Sequence, residues 1–298
     1  MGGMRIVSLL PSATEILFAV GAGDEVVGVT FECDYPEQAR SRAIVSTSAI
    51  PEGLSPAEVD AQVSAAMRAG EDLYHLDAGA LRGLDPDLVV TQDLCAVCAV
   101  DVSVVDDALA YLGCTAEVLT VDPHTLEAVL ASILTLGNAT GHEDAAVELV
   151  RRLRDRLAAV VRRTQDLQRP RALVLEWTDP PFAPGHWVPD MVAAAGGESV
   201  LGKTGGKSYR VGWQEVHDAR PDVVVVAPCG YGLPDSARLT EQILDRLPDV
   251  PVWAVDANAS FARPGPRLLD GVEALAAILH PTSGTADPTL ARRLEPGS

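Results

Sequence analysis

The chain has 298 residues, 47 % of them hydrophobic and 22 % charged, the makeup of an ordinary globular protein of one or two domains. Its 42 acidic against 23 basic side chains give a net charge of -19, which repels phosphate backbones and anionic lipid, so nucleic acid is a poor partner. No stretch approaches the roughly 18 apolar residues of a spanning helix, so no membrane insertion is expected.

The N-terminus begins with Ile6–Leu10, an apolar run broken by Pro11 and followed by Glu15. A secretory signal needs an unbroken apolar core, so this start reads as a first strand (5–10) and a helix (12–21) capped by Ser12 with Glu15. The expected location is therefore cytoplasmic, unless a leader has been removed. Further strands are expected at 25–30, 43–47, 87–91 and 116–121, with helices at 55–70 and 102–113. A long helical stripe over 142–169 follows, ended by Pro170 and roughly 40 Å long. A second series then has strands at 171–177, 221–228 and 250–257 and helices at 187–197, 235–247 and 266–280. Alternating strand and helix predicts an α/β fold of two Rossmann-like lobes with parallel sheets, joined by one long backbone helix. The boundaries read as an N-terminal lobe over 1–122, linking helices over 123–169, a C-terminal lobe over 170–281 and a loose tail over 282–298.

The stretches "LPSATEILFAVGAGDEVVGVT", "CDYPEQA", "LDPDLVV", "DPPFAPGHWVPDMVAAAGGESVLG", "GWQEVHDARPDVVVV" and "SFARPGPRLL" run in order from residue 6 to about 280. In this order the chain resembles the class III, helical-backbone solute-binding proteins, nearest to the cobalamin-binding proteins of ABC importers. The resemblance implies a non-enzymatic, monomeric binder that holds cobalamin or another metal chelate between its lobes, with an ABC permease as partner. Siderophore and haem receptors share the plan. The binding positions it implies are Glu32, where an aromatic residue is usual, together with Phe182, Trp187, Trp213, Ser260, Phe261 and Arg263. Flat rings suit a corrin or porphyrin, and Arg263 suits a ligand phosphate or carboxylate. Trp177 and Trp253 fall in strands and are expected in the core. The family also docks on its transporter through one acidic residue per lobe. Asp77 and Glu215 are the nearest candidates here, with spacing that fits poorly.

Five cysteines remain to be explained. Cys33, Cys95, Cys98 and Cys229 each follow an expected strand, at the carboxyl ends where open α/β sheets bind ligands. C-x₂-C spacing at Cys95 and Cys98 fits zinc or an iron–sulfur cluster, so Cys33, Cys95, Cys98 and Cys229 are expected to converge as metal ligands, and a cysteine-ligated metal or redox role stands as an alternative. Unrelated loop thiols, or a thiol on a corrinoid cobalt, are the other readings. Cys114 lies at the opposite sheet edge and is expected to be a small buried hydrophobe. His186 and His75 are possible additional ligands, each also readable as an exposed loop or strand residue. "LGKTGGKS" (201–208) lacks the Walker spacing of a phosphate loop and reads as a surface loop.

Overall fold

The computed structural model describes residues 3–69, 71, 73–92, 105, 115–282 and 284–295. They form two compact units, residues 1–122 with 131–150 and residues 123–130 with 151–298.

The first unit is built on six strands: β1 Ile6–Ser8, β2 Val26–Thr30, β3 Ala43–Ser48, β4 Tyr74–Leu76, β5 Leu88–Thr91 and β6 Glu117–Thr120, in the order β4-β3-β2-β1-β5-β6. All neighbours are parallel except β3 and β4. The central strands carry unbroken buried runs, as strands covered on both faces must. Helices α1 Pro11–Ala19, α2 Pro56–Ala69 and α3 Ala78–Arg82 belong here. The expected Ser12 cap is corrected: Leu10 is the N-cap, Pro11 opens the helix with its fixed φ, and Ser12 is buried.

Two helices follow, α4 Leu126–Ala139 and α5 Glu143–Thr164. α5 is shorter than the expected 142–169. It closes at Thr164, whose hydroxyl donates to the Val160 carbonyl, and the next residues turn out through a Leu167 N–H bond to Thr164.

The second unit has the strands β7 Arg171–Leu175, β8 Trp177–Thr178, β9 Pro181–Ala183, β10 Glu198–Ser199, β11 Tyr209–Arg210, β12 Val223–Val226, β13 Val252–Val255 and β14 Ala291–Leu294. Its helices are α6 Val188–Ala194, α7 Trp213–Asp218, α8 Leu233–Glu241, α9 Ala257–Ser260 and α10 Leu268–Leu279. Five strands make the main sheet, β10-β7-β12-β13-β14, and three make a small one, β11-β9-β8. β12 is four buried valines between β7 and β13, the stiff β-branched run that a sheet centre favours. Arg156 of α5 bridges Asp270 and Glu273 of α10, at 2.6 and 2.9 Å. Gly271 lets α10 lie against α9, since a Cβ there would sit 2.2 Å from the Ser260 carbonyl oxygen.

The loose tail is corrected. β14 pairs antiparallel with β13 over Val252–Val255, and Leu294 is buried against Ala237 and Ala254. Its two apolar ends, Ala291 and Leu294, close the sheet edge, a pattern too short to be read as periodic. Among the described residues no helix is long and apolar enough to cross a membrane.

Candidate functional site

In an open α/β sheet the loops at the carboxyl ends of the strands form the natural binding face. In the second unit that face begins where β7 ends. The chain passes through Glu176 into β8, turns, and returns as β9, which then pairs with β11. The register sets Trp177 opposite Phe182 and Phe182 opposite Arg210, so the three side chains share one face of the small sheet. The Arg210 guanidinium lies 5.9 Å from the centre of the Phe182 ring. On the other flank the Tyr231 ring, from the segment after β12, lies 5.8 Å from the Trp177 ring. A cation and three aromatic rings thus follow one another: Arg210, Phe182, Trp177, Tyr231. Burial raises the Tyr231 phenol above its usual pKa, so it remains a hydrogen-bond donor at neutral pH.

Glu176 sits behind this row. Its carboxyl accepts the Gly185 N–H at 3.1 Å and a short bond from the Ser208 hydroxyl. Loss of water around it pushes the carboxyl up to about 7, against the pull of Ser208 and Gly185. The next residue, His186, has a left-handed backbone at φ 48°. Its N–H donates to Gly206 and its carbonyl accepts from Gly205, at 2.6 and 3.0 Å, so the 201–208 segment is fastened to the site instead of lying free on the surface. The His186 ring is flanked by His124 and Trp187, at 5.8 and 5.6 Å. Burial, then His124 and Lys207, hold His186 below its usual pKa, which keeps the ring neutral.

The residues expected from the sequence are placed unevenly. Phe182 lies in the row described. Trp187 is buried, and its indole N–H donates to the Phe261 carbonyl at 2.8 Å. Ser260, Phe261 and Arg263 are buried at 1, 2 and 8 % exposure, with the Ser260 hydroxyl bonded to the Asp256 carbonyl. These three offer little surface to a ligand. Trp213 is corrected to a packing role, because it rests on the cluster of Val211, Val216 and Leu247 and is covered by Arg246 at 4.3 Å. Trp177, assigned to the core by its strand, is instead half-exposed in the row.

In the first unit Glu32 accepts the Tyr74 hydroxyl at 2.9 Å. The aromatic residue beside it is Phe31, 39 % exposed and tilted against Tyr74 at 6.0 Å between ring centres. Asp77 and Glu215 serve as helix caps: Asp77 accepts from Ala80 at 2.9 Å and Glu215 from Gly212 at 2.7 Å. His75 is exposed on β4. Cys33 is buried with its sulfur 3.0 Å from the Thr14 hydroxyl, and Cys229 is exposed. Cys95, Cys98 and Cys114 lie outside the described residues, as does nearly all of the helix expected over 102–113. Among the described residues no group of three or more His, Cys, Asp or Glu could hold a metal ion.

Arg210, Trp177, Tyr231 and Glu176 were missed as site residues. The "WTDPPF" hairpin was the available signal, since a tight turn between two aromatic residues sets them opposite each other.

The model of the periplasmic binding protein family matches residues 6–256. An ABC transporter substrate-binding lipoprotein of Bacillus subtilis, YvrC, is 26 % identical over 93 % of this chain and 80 % of its own. A vitamin B12-binding protein of Vibrio cholerae is 24 % identical over 92 and 88 %. Among solved structures, a periplasmic haem-binding protein of Pseudomonas aeruginosa superposes with a TM-score of 0.74 at 18 % identity, covering 100 % of both chains. The periplasmic vitamin B12-binding protein BtuF of Vibrio cholerae superposes at 0.68 and 22 %, covering 94 and 98 %. These relatives overturn the cytoplasmic expectation and point outside the cytoplasm. The residues on which that expectation rested are β1 and α1 of the fold itself. With 6–256 matched, the chain belongs to the periplasmic binding protein family.

Proposed function

We propose that this protein is the non-enzymatic substrate-binding component of an ABC importer, working outside the cytoplasm, and that its ligand is a metal tetrapyrrole, cobalamin or haem. The observation that carries the reading is the row Arg210–Phe182–Trp177–Tyr231 at the carboxyl ends of β7 and β12. Three rings in sequence, with Trp177 and Tyr231 tilted by 47°, offer apolar faces that suit a macrocycle, and stacking adds about 0.5–1.5 kcal/mol per aromatic contact beyond area burial. Arg210 at one end suits a peripheral propionate or phosphate. Relatives named for vitamin B12 and neighbours named for haem support the same ligand class.

Calorimetric titration of the purified protein with cyanocobalamin and with haemin, alongside visible spectra, tests the proposal. Saturable one-to-one binding of either at micromolar concentration or below is expected. No heat and no spectral change with both at tens of micromolar would sink it.

A further inference from the structure

We propose that Glu176 is a positioning residue for the Trp177–Phe182 face: its single carboxyl group fastens two loop segments, 184–187 and 203–208, and its protonation sets how firmly they are held. The consequence for ligand affinity rests on the tetrapyrrole reading above, whereas the loop behaviour does not.

The two segments meet on this carboxyl from different parts of the chain. One oxygen accepts the Gly185 N–H at 3.1 Å and the other is bonded by the Ser208 hydroxyl. The segments can run this close because residue 185 is glycine: a Cβ there would lie 2.2 Å from the Ser208 nitrogen and 2.6 Å from the Lys207 carbonyl carbon. Two backbone bonds, His186 N–H to Gly206 and Gly205 N–H to His186, complete the joint. Beyond the joint, the Trp187 indole N–H donates to the Phe261 carbonyl at 2.8 Å, so 184–187 is also tied to the residue that ends α9. Glu176 itself is anchored on both sides, its N–H on Phe182 and its carbonyl on the Cys229 N–H, at 3.0 and 3.1 Å. It is therefore the fixed point and the loops are the parts that yield.

The titratable and charged groups on the surrounding segments are His186 with His124 behind it, Lys207 and Arg210 along the second loop, and Cys229 and Tyr231 after β12. Among the described residues the Glu176 carboxyl is bonded by Ser208 and Gly185 and by none of these groups. The charged form consequently lacks a counterion at bonding distance and gains most from water. Glu176 is partly exposed, and water reaches it more freely if the two loops part. Protonated Glu176 keeps one oxygen for Gly185 and turns its own O–H toward Ser208, so the joint closes without a buried charge. Linkage then requires that a group more easily protonated in the closed state favour closure at lower pH.

Two measurements test this. The Gly185 amide, followed by ¹H–¹⁵N correlation spectra from pH 5 to 9, should titrate with a midpoint near 7 in the wild type and should not titrate in Glu176→Gln. Ser208→Ala removes a bond that favours the ionised form, so the midpoint should move up. A Gly185 amide that titrates alike in the wild type and in Glu176→Gln, or a midpoint unmoved by Ser208→Ala, would overturn the inference. In the second measurement, wild-type affinity for the tetrapyrrole that binds should be at least threefold weaker at pH 8 than at pH 6. Glu176→Gln should bind equally at both values, and a Gln variant with the wild-type pH dependence contradicts the proposal. If neither cyanocobalamin nor haemin binds, the ligand reading fails while the Gly185 titration still decides the role of Glu176.

Discussion

The indole N–H of Trp187 donates to the Phe261 carbonyl at 2.8 Å, joining the start of α6 to the residue that ends α9. Both residues are buried, at 6 and 2 % exposure, so the bond has no water to replace it. Trp187→Phe keeps most of the ring and removes the donor, stranding a buried carbonyl at a cost of about 2 kcal/mol. Thermal unfolding should show a fall in Tm of roughly 4–8 °C for a unit of this size.

Glu176 predicts a pH dependence of stability with a definite sign. Its folded-state pKa is raised from 4.5 to about 7, mainly by loss of water. The folded protein therefore binds this proton more tightly than the unfolded chain. Stability from this group is fully present below about pH 4.5 and is lost as pH rises through 7. The change is at most about 3 kcal/mol. Denaturant midpoints at pH 5.5 and 8 should differ more in the wild type than in Glu176→Gln, whose amide does not ionise.

Trp213 and Trp177 should part company under mutation. Trp213 packs on the buried cluster that includes Val211, Val216 and Leu247, beneath Arg246, so Trp213→Ala should lower stability by about 3 kcal/mol with ligand affinity within twofold of the wild type. Arg246→Ala should remove about 0.5–1 kcal/mol by the same readout. A large loss of affinity in Trp213→Ala would return that ring to the binding face.

Arg156 spans Asp270 and Glu273 with its guanidinium, and the neighbouring carboxylates hold its pKa above the usual value. The groups are about a third to two-fifths exposed, so the fork is worth about 1 kcal/mol. Arg156→Gln should lower the denaturant midpoint slightly, and the deficit should shrink in high salt.

Much of the architecture was legible in the sequence because its signals are local. The valines of β12 and the apolar runs of β1 and β5 announce buried parallel strands, and β7 and β13 lie within a few residues of their expected bounds. β14 was not legible: four residues with two arginines become a strand only because β13 offers an open edge. The site was legible in place and less so in residue. Phe182 stands out because it follows "DPP". Arg210 is invisible as its partner until the β9–β11 register is known, since residues 28 positions apart have no common local pattern. Arg263 attracted the ligand role by its motif, yet it is 8 % exposed. A raised carboxyl such as Glu176 depends on what covers it, and Ser208 is 32 residues away.

The central claim is that the row from Arg210 to Tyr231 receives a flat metal tetrapyrrole. The most direct test is a side-by-side calorimetric titration of the wild type and a Trp177→Ala, Phe182→Ala double variant with cyanocobalamin and haemin at one pH. The wild type should bind at least one of them in a one-to-one ratio. The double variant, folded by circular dichroism, should bind it at least thirtyfold more weakly, which is about 2 kcal/mol for two lost stacking contacts. Equal affinity in the wild type and the folded double variant would contradict the claim.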